Sequence, residues 1–212
     1  VPIILGIGLN YLAHARELKK TPPTHPPLFT KPRNAVQDPF SAIRIPPVAK
    51  DAHVDYEAEL AVVVGRDCLD ATRENALDYV LGYTCANDIT SRWWQEAVGQ
   101  WTFSKSFDTF CPLGPTLVSP ALIPNPNALS ISLTLNGAQM QDSTTRDMVH
   151  DVPALIAFLS QGTTIEAGTV ILTGTPPGVG VVRSPPVFLR DGDEVEVTIE
   201  KIGTLRNKVE VC

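Results

Sequence analysis

Apolar residues along this chain gather in short, β-branched runs more often than at helical spacing. Residues 3–7, 60–64, 131–135 and Val170–Leu172 read as buried or half-buried strands. Asn136-Gly137 separates the run 130–135 from 139–141, a pairing that predicts a tight hairpin. Residues 194–199 alternate polar and apolar, turn at Gly203 and resume over 205–211, which predicts a second hairpin with one wet face. Helical segments are short. Thr72 can cap a turn running through Ala76, Leu77, Val80 and Leu81 to Gly82, and Asp151, or the residue before it, can start a helix over 153–160 with Pro153 in its first turn. Residues 11–20 are helix-compatible until Thr21-Pro22-Pro23-Thr24-His25-Pro26-Pro27, which cannot continue a helix. The pattern predicts a strand-rich α+β fold with a mixed sheet, in one domain spanning 1–212.

Composition narrows the partners. A formal charge of −6 and a pI near 5.2, with no basic cluster, argue against a nucleic-acid surface and leave a small molecule as the expected ligand. No apolar stretch approaches the roughly 18 residues a membrane helix needs, and residues 1–6 lack a charged leader region and a cleavage site. The expected compartment is the cytoplasm, or the mitochondrial matrix if a natural leader is missing. Cys68, Cys85, Cys111 and Cys212 are scattered without a CxxC or Cys/His pattern, which favours reduced thiols over a disulfide framework or zinc site.

The least ordinary feature is Asp55-Tyr56-Glu57-Ala58-Glu59-Leu60. Residues two apart on a strand share a face, roughly 6.5–7 Å apart, so Glu57 and Glu59 are either the solvated face of an edge strand or a pair that needs a cation. Asp88, ending the stretch from Gly82, is the next acidic candidate; a lone Asp there is ordinarily a turn or cap. With it, three carboxylates and no soft ligand suit a hard divalent ion, Mg²⁺ or Mn²⁺. His14 and Glu17 are three apart, so on a helix they can hydrogen-bond as a general-base pair. Lys105 lies between Phe103 and Phe107, which predicts partial desolvation. The segment 173–180 is either a strand-ending turn or a nest of backbone N–H groups for an anion. His25, His53 and His150 have no such partner pattern and read as surface residues.

Five pieces occur together: Gly8-Leu9-Asn10-Tyr11-x-x-His14-x-x-Glu17, residues 55–60, Asn87-Asp88-Ile89-Thr90-Ser91-Arg92, Lys105-Ser106-Phe107-Asp108 and Leu172-Thr173-Gly174-Thr175-Pro176. In order and spacing they resemble the fumarylacetoacetate hydrolase family, over residues 6–212. The resemblance implies a mixed β-sheet roll of that family's C-terminal-domain type and assigns Glu57, Glu59 and Asp88 as magnesium ligands. It implies substrate or ligand support from Lys105, Arg92 and Gln95, carboxylate binding by Thr175 with the Gly174 backbone, and water activation by His14 and Glu17. The implied reaction is cleavage of a C–C bond in a 2-oxo acid, either acylpyruvate hydrolysis or oxaloacetate-type decarboxylation, with Lys105 and Arg92 offsetting negative charge. Residues 21–27 would act as a lid, and a homodimer is expected. The alternatives are an isomerase or hydratase of an unsaturated 2-oxo diacid, and a non-catalytic metal or metabolite binder. Two positions depart from the pattern: Ala13 stands where relatives often carry Asp, and Trp93-Trp94 brings bulk beside Arg92 that would narrow or reshape the pocket.

Overall fold

The computed structural model describes residues 1–49 and 53–212. In chain order its elements are β1 (Ile4–Ile7), α1 (Leu12–Glu17), β2 (Leu28–Lys31), β3 (Val36–Gln37), β4 (Ile43–Ile45), β5 (Val54–Asp55), β6 (Ala58–Val64), β7 (Val80–Asn87), β8 (Thr90–Ser91), α2 (Arg92–Ala97), α3 (Thr102–Lys105), β9 (Cys111–Val118), β10 (Ser130–Leu135), β11 (Ala138–Thr144), α4 (Val152–Leu159), β12 (Val170–Leu172), β13 (Glu194–Ile199) and β14 (Gly203–Val211). A seven-stranded sheet runs β2-β1-β12-β6-β7-β9-β3, and a five-stranded sheet runs β11-β10-β13-β14-β4. Both are mixed, because β1/β12, β3/β9 and β14/β4 pair in parallel while the other ladders are antiparallel. This is the strand-rich α+β architecture the sequence predicts.

Burial on both faces explains why β6 reads as an unbroken apolar run. Leu60, Val62 and Val64 point into the main core with Ile131, Val197 and Leu205 of the second sheet. Ala61 joins Ile4, Ala86, Val170 and Leu172 in a smaller cluster on the opposite face, with Val63 packed against it. Glu57 and Glu59 share the parity of Ala61, so they extend this second face rather than an exposed edge. Antiparallel pairing of Glu59 with Ala86 puts a small side chain opposite it and leaves room.

Both hairpins form as predicted. Asn136 and Gly137 have φ of 52° and 79°, the conformation a two-residue hairpin requires. Two helical expectations are corrected. The segment from Thr72 to Gly82 holds only a 3₁₀ turn at Ala76–Tyr79; Val80 and Leu81 already belong to β7, because pairing with β6 begins at Val64 opposite Val80. Helix α1 stops at Glu17, short of Lys20: Lys19 adopts φ 53° and the Lys20 N–H returns to the Ala15 carbonyl, a helix-ending motif. Helix α4 forms as expected, with Asp151 Oδ1 accepting from the Ala154 N–H at 2.9 Å.

Candidate active site

The end of β6 and the end of β7 meet at one point. Because Ala58 pairs with Asn87, the next residues outward, Glu57 and Asp88, are adjacent, and the Asp88 N–H donates to the Glu57 carbonyl at 2.8 Å. One carboxylate oxygen each from Glu57, Glu59 and Asp88 lie within 4.8 Å of one another, all three side chains buried. The solvated-face reading of the paired glutamates therefore does not hold.

Cations surround two of these acids. Lys105 Nζ donates to Glu57 Oε2, Asp88 Oδ2 and Thr90 Oγ1, which uses all three of its hydrogens. Lys31 Nζ donates to Asp88 Oδ1 and to the carbonyls of Ile89 and Phe110. Arg92 reaches Asp55 Oδ2 through Nε at 2.8 Å, Glu57 Oε1 through Nη2 at 2.8 Å and Gln95 Oε1 through Nη1 at 3.0 Å. Burial acts to raise the Glu57 pKa, but Lys105 and Arg92 outweigh it and hold the carboxyl at about 2. Glu59 is different. Among the described residues no cation bonds to it, and its hydrogen bond comes from the Gly174 N–H at 2.5 Å. Burial, with the charges of Asp88 and Glu57 added, pushes its carboxyl well above the usual range. A buried carboxylate short of positive charge, between two others, fits a hard cation bound through Glu57, Glu59 and Asp88.

Facing this wall across a cavity of about 370 Å³ is α1, which carries His14. His14 Nδ1 lies 2.9 Å from Glu17 Oε2, and Glu17 is fixed by the Gly178 N–H at 3.0 and 3.2 Å. Apolar walls come from Leu9, Leu18, Phe29, Trp101 and Val179. His14, Glu57, Glu59, Arg92, Gln95, Lys105 and Thr175 all line the space, so the sequence-derived residues converge there, apart from Asp88, which lies behind Lys105, and Gly174 and Glu17, which act through hydrogen bonds at its edge.

Four expectations need correction. The loop 173–180 does bind anions through its backbone, but they are the protein's own: the amides of Gly174, Gly178 and Gly180 donate to Glu59, Glu17 and Asp55. The Gly174 N–H is thus committed to Glu59 and not free for a substrate carboxylate. Lys105 is 2% exposed, yet the ring over its ammonium is Phe29, 4.6 Å away, rather than Phe103 or Phe107. Trp93 is 51% exposed and Trp94 donates to the Val48 carbonyl, so neither reshapes the cavity; the indole that does is Trp101. His150 is half-buried, bonding the Pro23 carbonyl through Nε2 and Asn10 Oδ1 through its amide, and so ties down the proline-rich segment.

Sequence reasoning missed Lys31, Asp55, Gln141 and Asn10. Asp55 carried a signal, since it has the same strand parity as Glu57 and Glu59. Lys31 carried one as well, since alternation puts it on the Phe29 face of β2. Gln141 and Asn10 act by spanning segments far apart in sequence, which spacing does not reveal.

A curled pair of mixed sheets around a buried three-carboxylate cluster, faced by a His–Glu pair, defines a class of domain suited to holding a hard cation beside a small polar substrate. The chain belongs to the fumarylacetoacetate hydrolase family: the model described as fumarylacetoacetate (FAA) hydrolase C-terminal matches residues 3–210. It is 44% identical over 207 residues to the mitochondrial oxaloacetate tautomerase Fahd2a of Rattus norvegicus, covering 97% of this chain but 66% of that protein, so the chain spans about two thirds of that relative's length. Among solved structures, 5-carboxymethyl-2-hydroxymuconate delta-isomerase from Mycobacterium smegmatis matches with a TM-score of 0.87 and 40% identity, over 100% of this chain and 80% of that one. Fumarylacetoacetate hydrolase from Exiguobacterium antarcticum matches with a TM-score of 0.92 and 38% identity, over 100% and 76%. Members of this family are enzymes acting on small molecules, as these names state. Among the described residues no helix is long and apolar enough to cross a membrane.

Proposed function

We propose that this chain, as one catalytic unit over 1–212, is a divalent-metal-dependent enzyme that moves a proton at the carbon beside the 2-oxo group of a short 2-oxo acid such as oxaloacetate. The observation that carries it is the opposition, across one small cavity, of a buried three-carboxylate cluster, presented there by Glu57 and Glu59, and a hydrogen-bonded His14–Glu17 pair. Mg²⁺ or Mn²⁺ held by Glu57, Glu59 and Asp88 would supply the positive charge that makes an enolate accessible. With Nδ1 engaged by Glu17, the Nε2 atom of His14 is the ring nitrogen left to take up or return that proton. Arg92, whose Nη1 is shared with Gln95, and Lys105 add positive potential at the floor of the cavity. Leu18, Phe29 and Trp101 give the cavity its apolar walls. The names of the tautomerase and isomerase relatives support proton transfer as the step.

Cleavage of a C–C bond, by acylpyruvate hydrolysis or oxaloacetate decarboxylation, is the second reading. It is favoured by Glu17, whose side chain is 24% exposed and so open to water, and by the hydrolase relative. A homodimeric assembly accompanies either reading, on resemblance, and the scattered cysteines favour a reducing compartment, the cytoplasm or the mitochondrial matrix. The test adds purified protein and Mg²⁺ to oxaloacetate and to acylpyruvates while following enol absorbance and pyruvate together. Enzyme-dependent relaxation of the enol signal without pyruvate supports proton transfer, and pyruvate formation supports cleavage. No acceleration of either by the protein overturns both.

A further inference from the structure

Gln141 is 1% exposed and contributes nothing to the cavity surface, yet it joins three parts of the site. Its Oε1 accepts the Ala58 N–H at 2.9 Å, at the start of the strand that carries Glu59. That bond fixes the amide's orientation, because an N–H must face an oxygen. Both hydrogens of Nε2 are then turned toward the loop after β12, where they meet Thr175 Oγ1 and the Pro176 carbonyl, each at 2.8 Å.

The backbone explains how a residue of the second sheet reaches so far. Between β10 and β11 the register slips: Leu133 pairs with Gln141 and Thr134 with Gln139, leaving Met140 as an extra residue. Such a bulge bends the strand and re-aims the following side chain. The Met140 carbonyl meets the Arg183 guanidinium, and a Cβ on Gly178 would lie 2.1 Å from it, so the loop is seated directly on the bulge.

The consequence falls on one proton. Thr175 Oγ1 accepts from Gln141, so the hydroxyl hydrogen must point elsewhere, and among the described residues no protein acceptor takes it. Thr175 lines the cavity beside Glu57 and Glu59. Within the same loop, the amides of Gly174, Gly178 and Gly180 are already taken by Glu59, Glu17 and Asp55. We propose that Gln141 is a positioning residue that holds Thr175 as a hydrogen-bond donor into the cavity, so that the loop recognises an anionic oxygen, carboxylate or enolate, of the substrate. This deepens the function proposed above and rests on it.

The test is a double-mutant cycle read by calorimetric titration of oxalate, a planar two-carboxylate probe, in the presence of Mg²⁺. Thr175→Val removes the donor at nearly constant shape and should weaken oxalate about 10- to 100-fold, the range for a hydrogen bond to a charged group; Thr175→Ser should bind like the wild type. Gln141→Leu should weaken oxalate comparably in the wild-type background and by less than about twofold in the Thr175→Val background. Gln141→Glu, which keeps an oxygen for Ala58 and supplies at most one hydrogen where the amide supplies two, is the second variant should Gln141→Leu fold poorly, and should behave the same way. Equal losses in both backgrounds, or a fall in melting temperature with oxalate binding unchanged, would assign Gln141 a purely structural role and overturn the inference while leaving the proposed function standing. Failure of the wild type itself to bind oxalate overturns the proposed function and this inference with it.

Discussion

On the carboxylate side of the cavity, Glu57, Glu59 and Asp88 sit at the ends of central strands and are at most 7% exposed, and Glu57 and Asp88 share a network with Lys31, Lys105 and Arg92. On the opposite side, His14 and Glu17 ride a six-residue helix that continues into a proline-rich segment tied down by His150. On the function proposed above, the difference follows from what each side would have to do. Retaining a cation needs charges that cannot relax away, which strand ends inside a sheet provide. Moving a proton to and from a substrate would need groups that face the cavity, which α1 provides: His14 lines it although only 6% exposed, and Glu17, with a side chain 24% exposed, is the more open partner. Stability should therefore be concentrated on the first side and rate on the second.

The largest effect is expected from Asp88→Asn. It removes the charge that both buried lysines share, and an uncompensated buried charge costs about 3–5 kcal/mol. We expect a large drop in the chemical-denaturation midpoint together with loss of measurable Mg²⁺ binding. Near-normal stability and metal affinity would mean that the lysines, not the ligand set, organise this wall. Glu17→Gln and His14→Ala probe the other side. Each should cost about 10²–10⁴-fold in rate, the usual share of a general base, while stability and Mg²⁺-dependent oxalate binding stay close to wild type. A variant that loses metal or oxalate along with rate would erase the proposed division between the two sides.

How far this was legible in the sequence divides along the same line. Strand alternation places Glu57 and Glu59 on one face, and i,i+3 spacing pairs His14 with Glu17, because both are local periodicities. The strands and both hairpins were legible for the same reason. What alternation cannot report is which elements meet. Lys31 reaches Asp88 across 57 positions, and Gln141 reaches Thr175 across 34. The helix expected from Thr72 failed because pairing with β6 captured Val80 and Leu81, a tertiary demand that overrides a local cap signal. The tryptophans next to Arg92 misled for a similar reason, since chain adjacency did not bring them to the cavity, whereas Trp101 arrives there against Gly8, where a Cβ would lie 2.2 Å from its ring.

That last contrast is testable at smaller amplitude. Trp101→Ala removes an apolar wall and should lower kcat/KM about tenfold, the scale of a lost hydrophobic contact with substrate. Trp93→Ala, at an exposed site, should leave kcat/KM unchanged and stability within about 0.5 kcal/mol. A reversed order would place the substrate on the α2 side of Arg92 rather than against Phe29.

The smallest expected effect concerns how the dyad helix is held. Among the described residues, Tyr11 at the start of α1 makes no side-chain cap, and the Ala13 N–H in the first turn is satisfied from a distance by Asp147 Oδ2 at 2.9 Å. Asp147 follows β11 in the chain, so the side that carries His14 and Glu17 is held in part from the second sheet. A carboxylate there also favours the positive end of the helix. Asp147→Ala should cost about 1 kcal/mol, as loss of a helix cap does, and lower kcat a few-fold by letting His14 and Glu17 wander. Mg²⁺ affinity should not move, because the carboxylate wall has no bond to this residue. Matched denaturation curves, Mg²⁺ titrations and initial rates on Asp147→Ala and Asp147→Asn would decide it, since asparagine keeps an acceptor for the amide and should recover most of the stability. If instead metal affinity falls in step with rate, α1 and the carboxylate wall behave as one cooperative unit, and the contrast between the two sides of the cavity is structural without being energetic.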